Sequence, residues 1–122
     1  MSAIREPLRV AVYCHTFSKD RDEVGFQRKV IMRTLERCTD PFPIITLYTD
    51  DGFCPDTQMR PDFQRMLLDA AAGHLDCIAF CGWDHLSGVE DSRNMLSRFL
   101  KKHEVLPLEC RVLEAVLVRL AA

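Results

Sequence analysis

Leu8-Arg9-Val10-Ala11-Val12-Tyr13-Cys14-His15-Thr16-Phe17-Ser18-Lys19-Asp20 passes from an apolar run to a polar, charged loop within a few residues. Residues 8–14 are rich in β-branched and aromatic side chains and carry one charge. That pattern fits a strand buried on both faces. The charged loop 18–23 then leads into a helical pattern over residues 22–38. A buried strand that opens through a polar loop into an amphipathic helix is the first unit of an α/β fold.

The rest of the chain repeats this alternation. In the first helix Phe26, Val30, Ile31, Leu35 and Cys38 are the expected inward face, and Asp40-Pro41-Phe42-Pro43 ends it, because proline cannot continue a helix. Ile44-Ile45-Thr46-Leu47-Tyr48 reads as a second strand running into the turn Thr49-Asp50-Asp51-Gly52. Pro61 suits the first position of a second helix. Its apolar stripe is Phe63, Met66, Leu67, Ala70 and Ala71, with Gly73 as its C-terminal cap. Asp76-Cys77-Ile78-Ala79-Phe80-Cys81 reads as a central strand. Ser87-Gly88-Val89-Glu90 matches a capping box that opens a third helix with the stripe Met95, Leu96, Phe99 and Leu100. Val105-Leu106-Pro107-Leu108 is a fourth strand, placed at an edge because Pro107 has no N–H to donate. A last helix, residues 111–122, carries Leu113, Val116, Leu117 and Leu120 at helical spacing. The expected architecture is a three-layer α/β domain over residues 1–122, with a mostly parallel sheet of four to five strands and a flexible N-terminus at 1–7.

Composition narrows the function. The chain has 122 residues, 48% hydrophobic and 28% charged, with a formal net charge of −2. That supports one core and gives no basic surface of the kind that grips phosphate backbones, so weak or no autonomous DNA binding is expected. No apolar run reaches the roughly 20 residues of a bilayer span, and residues 1–7 lack a signal-peptide core, so a cytoplasmic protein with no membrane partner is expected. The six cysteines form no CxxC pair, and Cys14, Cys77, Cys81 and Cys110 sit in or beside apolar runs. Reduced thiols acting as small hydrophobes, with no structural zinc and no cofactor, are expected.

Several motifs, in order, resemble the catalytic domain of serine recombinases, the resolvase/invertase family. Val12-Tyr13-Cys14-His15-Thr16-Phe17-Ser18-Lys19-Asp20 aligns without gaps to that family's Tyr-x-Arg-Val-Ser-Thr-Lys-Asp opening. Gln27 matches a glutamine of its first helix. Tyr48-Thr49-Asp50-Asp51-Gly52 matches its Tyr-x-Asp-Asp-Gly turn. Met59-Arg60-Pro61-Asp62-Phe63-Gln64-Arg65-Met66-Leu67 matches its Asp-Arg-Pro-x-Phe-x-x-Met-Leu segment, and Trp83-Asp84-His85-Leu86-Ser87-Gly88 its Leu-Asp-Arg-Leu-Ser-Arg. The resemblance covers about four fifths of the chain and implies a resolvase-type fold. It also implies, for an intact member, site-specific recombination through a phosphoserine link to DNA.

The departures fall on the reacting groups. His15, His85 and Gly88 stand where the family has arginines, and Phe17 stands where it has the attacking serine. Guanidinium groups suit a phosphoryl transition state because they are planar, always charged and bidentate toward phosphate. In other phosphoryl transfers one such arginine is worth roughly 10³–10⁵ in rate. The family-equivalent pocket of this chain is therefore His15, Phe17, Ser18, Gln27, Asp50, Arg60, Asp84, His85 and Gly88, with no catalytic residue confidently intact. A domain inactive in strand cleavage, acting through protein contact or by modulating recombination, is the leading expectation.

Two readings of other classes stand beside it: an active recombinase or nuclease using Ser18 and Arg60, and a binder of nucleotides or small ligands at the carboxyl ends of the strands. The second lacks a glycine-rich phosphate loop. His15 and His85, with Asp84 and Cys54, could be recruited for a transition metal, but the favoured reading is drifted arginine positions at a solvent-facing rim, with no metal. Trp83 and Phe17 either fill space left by long arginines or form a contact patch. The apolar stripe of the last helix either covers its own sheet or meets another subunit, as a homodimer or as a heteromer with an active recombinase.

Overall fold

The computed structural model describes residues 6–86 and 90–121. Four strands, β1 (Arg9–Thr16), β2 (Ile44–Asp51), β3 (Cys77–Phe80) and β4 (Leu106–Glu109), alternate with the helices α1 (Arg21–Cys38), α2 (Pro61–Ala71), α3 (Trp83–Leu86), α4 (Glu90–Lys102) and α5 (Cys110–Ala121). The sheet has the order β2-β1-β3-β4, and every pairing is parallel. β4 is an edge strand, as Pro107 requires, and β3 is central.

The period-2 alternation of β1 assigns its side chains to two cores. Val10, Val12 and Cys14 face α1 and α5, where they pack with Ile31, Leu35, Leu113 and Leu117. Ala11 and Tyr13 face the other side, with Phe63, Met66 and Ala70 of α2 and Leu96 and Leu100 of α4. Three layers result: α1 and α5, the sheet, then α2 and α4.

Two caps locate the helices beside the site. The Asp20 side chain accepts a hydrogen bond from the Glu23 amide at the start of α1, at 3.0 Å. Pro61 begins α2, and Gly73, at φ +80°, follows its end.

Three expectations of facing are corrected. Phe26 is exposed; the buried stripe of α1 is Val24, Gln27, Ile31 and Leu35. Polar Gln27 takes an inward place because its amide is bonded to the β1 main chain. Phe26, one residue away, is turned about 100° off that stripe. Met95 is exposed beside buried Leu96 for the same reason, and Ala71 is exposed beside buried Ala70. The short helix α3 has no counterpart in the sequence reading. The expected capping box at 87–90 falls mostly on residues 87–89, which lie outside the described residues.

The last helix packs on its own domain. Leu113 and Leu117 are buried against α1 and the sheet, and Arg37 on α1 pairs with Glu114 at 3.1 Å. Leu120 and Val118 lie on the exposed side. Among the described residues, no helix is long and apolar enough to cross a membrane.

Candidate functional site

The strand order changes direction between β1 and β3, so their carboxyl ends frame the crevice where open α/β sheets place ligands. β1 delivers His15 to this edge, and the chain leaving it delivers Phe17 and Ser18. The segment after β3 delivers Asp84 and His85 on α3. β2 delivers Asp50 near its carboxyl end, and Arg60 immediately precedes α2.

His15 and Gln27 lock β1 to α1. The His15 amide donates to Gln27 Oε1 at 3.1 Å, and Gln27 Nε2 donates to the His15 carbonyl at 2.9 Å. This pair satisfies main-chain groups at the end of a buried strand, a demand no neighbouring strand meets there. The His15 ring is fully buried, which corrects the expected solvent-facing rim. Its Nε2 lies 2.8 Å from the Phe53 carbonyl, so Nε2 carries the proton and donates. Its Nδ1 is shielded and has no partner. Burial, helped by the nearby charge of Arg60, pushes the imidazole down to about 4. At neutral pH His15 supplies no positive charge.

Asp50 is buried and fully engaged. Its Oδ2 accepts from the Tyr13 hydroxyl at 2.8 Å and the Phe63 amide at 2.9 Å, and its Oδ1 accepts from the Asp62 amide at 3.0 Å. A carboxylate on the free amides of the first turn of α2 also meets the positive end of the helix dipole. Burial and this carboxylate hold the Tyr13 hydroxyl protonated far above the ordinary tyrosine range.

Arg60 is the one arginine of the family pattern that remains at its place, and it is fully buried. Nε donates to the Cys54 carbonyl at 3.0 Å, Nη2 to the Pro55 carbonyl at 3.2 Å and Nη1 to the His85 carbonyl at 2.6 Å. It makes no ion pair among the described residues. The guanidinium fork is aimed at main-chain oxygens, and it ties the loop before α2 to α3.

The remaining positions close or flank this centre. Phe17 is half exposed, with its ring 4.6 Å from His15 and 5.9 Å from His85, stacked on the latter. The His15 and His85 rings are 5.9 Å apart. His85 Nδ1 is shielded without a partner among the described residues, and Asp84 is exposed. Ser18 is exposed on the bend after β1. Cys54 is exposed and contributes its carbonyl to Arg60. Trp83 packs its ring 4.9 Å from Phe80, under Arg93, whose guanidinium carbon lies 5.0 Å from the indole centroid. Gly88 lies outside the described residues. Among the described residues no three His, Cys, Asp or Glu side chains are grouped closely enough to share a metal.

Sequence reasoning missed Tyr13 and the Thr16–Asp51 pair. Thr16 Oγ1 donates to Asp51 Oδ1, which also accepts from the Asp20 amide at 2.7 Å. Gly52, at φ +82°, donates to the Thr16 hydroxyl and carbonyl, and a Cβ there would press on Lys19 backbone at 3.1 Å. A tyrosine inside a buried strand was the available signal, since its hydroxyl needs a partner.

No sequence-family model and no curated protein sequence matches this chain. Solved structures do. The C-terminal catalytic domain of ISC1926 TnpA, an IS607-like serine recombinase, superposes with a TM-score of 0.75 at 10% identity over 84% of this chain and 67% of that one. The fold is that of serine recombinase catalytic domains. The N-terminal catalytic domain of TP901-1 integrase gives a TM-score of 0.67 at 20% identity, covering 92% of this chain and 90% of that domain. The first open reading frame of transposon ISC1904 from Sulfolobus solfataricus P2 gives 0.63 at 18% identity, covering 83% of this chain and 66% of that one. This chain thus spans about two thirds of each of the two transposon chains.

Proposed function

We propose that this chain is a serine-recombinase-type domain that does not cut DNA and acts in the cytoplasm by protein contact, modulating site-specific recombination. The observation that carries the reading is the state of Arg60. Three of its five N–H groups are given to carbonyls and the side chain is sealed from solvent, so a phosphate could reach it only by displacing that packing. The neighbouring family position is His15, buried and neutral at pH 7. Phe17 covers the mouth between His15 and His85, where an attacking hydroxyl would stand. A pentacoordinate phosphorane carries extra negative charge, and these groups offer it nothing with which to steady that charge.

Protein contact is the use that remains for a well-packed domain with a net charge of −2. The partner in this reading is a second copy or an active recombinase, the proteins whose catalytic domains share this fold. Val112 and Val118 on the outer side of α5 and Phe42, Ile44 and Leu47 along the β2 edge offer apolar contact area. The test is a recombination assay with an intact, active serine recombinase. Addition of the purified protein is expected to change the yield of recombinant product and to shift the elution of the recombinase. Unchanged yield and separate elution at large molar excess would contradict the proposal.

A further inference from the structure

Cys81 and Cys110 form a thiol pair at the carboxyl edge of the sheet, on the face opposite the Arg60 site. The parallel register that ends at Phe80 beside Glu109 carries one residue further, so Cys81 leaves β3 next to Cys110, the first residue of α5. The two sulfurs are 3.6 Å apart, and the Cys81 thiol also reaches the Gln27 carbonyl at 3.7 Å. Neighbouring strands run about 4.8 Å apart, within the 4.4–6.8 Å range of Cα separations that a disulfide spans. Both residues are partly open to solvent and both pack on the core beneath α1 and α5, so an oxidant can enter and the bond can form with little backbone movement.

We propose that Cys81 and Cys110 are a redox modification site, converted by hydrogen peroxide into an intrachain disulfide that fastens α5 to the end of β3. Cys110 is the attacking thiol. It stands at the N-terminus of α5, and the Cys81 thiol beside it holds it below the ordinary thiol range, while the contact with Cys110 and, after it, burial hold Cys81 above that range. The Cys110 thiolate attacks one peroxide oxygen, the O–O bond breaks, and Cys110 sulfenic acid and hydroxide form. Cys81 gives its proton to that hydroxide, making the first water. Its sulfur then attacks Cys110 Sγ, forming the S–S bond as the S–O bond breaks, and the departing hydroxide takes up a solvent proton as the second water. Overall, two thiols lose two protons and two electrons, and the peroxide is reduced to two waters.

The other four cysteines are distinguishable from this pair. Cys14 and Cys77 are buried and burial raises their thiols to about 11 and about 12, while Cys38 and Cys54 lie elsewhere on the fold. The experiment treats the reduced full chain with hydrogen peroxide, blocks the remaining thiols with iodoacetamide and maps the peptides by mass spectrometry. The expected result is loss of two of the six thiols, one peptide pair joined through Cys81 and Cys110, and a melting temperature several degrees above that of the reduced protein. Both changes are expected to vanish in Cys110→Ser and to return on adding a thiol reductant to the oxidised wild type. Cys81→Ala serves as the second variant should Cys110→Ser fold poorly. Peroxide that leaves both residues alkylatable, oxidises them without joining them, or joins Cys54 instead would overturn the proposal, as would a joined form that melts no higher than the reduced one.

Discussion

Two arginines sit at opposite ends of β1 and are held in opposite ways. Arg9, at the amino end, is partly exposed and forks onto Asp76, with Nε to Oδ2 at 3.2 Å and Nη2 to Oδ1 at 3.0 Å, while Nη1 reaches the Gly73 carbonyl. Its charge is matched by a carboxylate at the surface. Arg60, at the carboxyl end, is wholly inside and is met by three neutral carbonyls. The comparison teaches that the same side chain can serve as a surface ion-pair partner or as an interior bridge between main-chain segments. One guanidinium staples the start of β1 to the segment between α2 and β3 through a charge pair. The other is an interior bracket at the carboxyl edge of the sheet, joining the loop before α2 to α3.

The most forceful way to break that contrast is to remove each bracket. Arg60→Met strips three carbonyls of their donors and leaves a gap in a closed interior, and is expected to cost about 3–5 kcal/mol in denaturant unfolding. Arg9→Met is expected to lose much less in the same measurement, because water can replace an exposed ion pair. Equal losses at the two positions would erase the distinction.

Next in size is an attempt to restore a family arginine. His15→Arg places a second guanidinium in a buried site already holding Arg60, and should destabilise by about 3 kcal/mol. A variant as stable as the starting protein would show that the site can open to solvent.

The pH dependence sharpens the same point. His15 titrates near 6.5 when unfolded and is pushed down to about 4 in the fold. The folded state therefore binds fewer protons between these values, so the stability tied to neutral His15 is complete above about 6.5 and is lost as the pH falls toward about 4. About 1–3 kcal/mol should disappear over that window. The slope attributable to His15 is read as the difference between the wild type and His15→Gln, and identical slopes would place the imidazole in contact with water. The smallest effect is expected at the mouth: Phe17→Ser changes a half-exposed ring and should cost less than about 1 kcal/mol by thermal or chemical unfolding.

Much of the fold was legible because period and punctuation agreed. The apolar run of β1, Pro61 at the start of α2, Gly73 after its end and Pro107 on an edge strand each have a local physical cause that survives in the folded chain. The facing of α1 was not legible, because a polar side chain, Gln27, won the buried place through hydrogen bonds that only the folded main chain of His15 provides. The same limit applies at the site. The sequence shows that His15, Phe17 and His85 replace expected residues and that Arg60 remains. It cannot show that the Arg60 fork points at the carbonyls of Cys54, Pro55 and His85, because those oxygens converge only after the loop before α2 has packed against α3. Likewise, Asp50 read as a turn residue of the family pattern, and its engagement with Tyr13 and the first turn of α2 emerged from the fold.

The proposed loss of strand cleavage follows from the buried Arg60 fork, the neutral His15 and the Phe17 ring between the histidines, and cleavage itself is its most direct measurement. Pure protein incubated with supercoiled plasmid and then denatured should yield neither nicked circles nor protein covalently joined to a DNA end. A covalent adduct that disappears in Ser18→Ala would contradict it, and would show that the loop after β1 can bring a hydroxyl to a phosphate that these charges are able to hold.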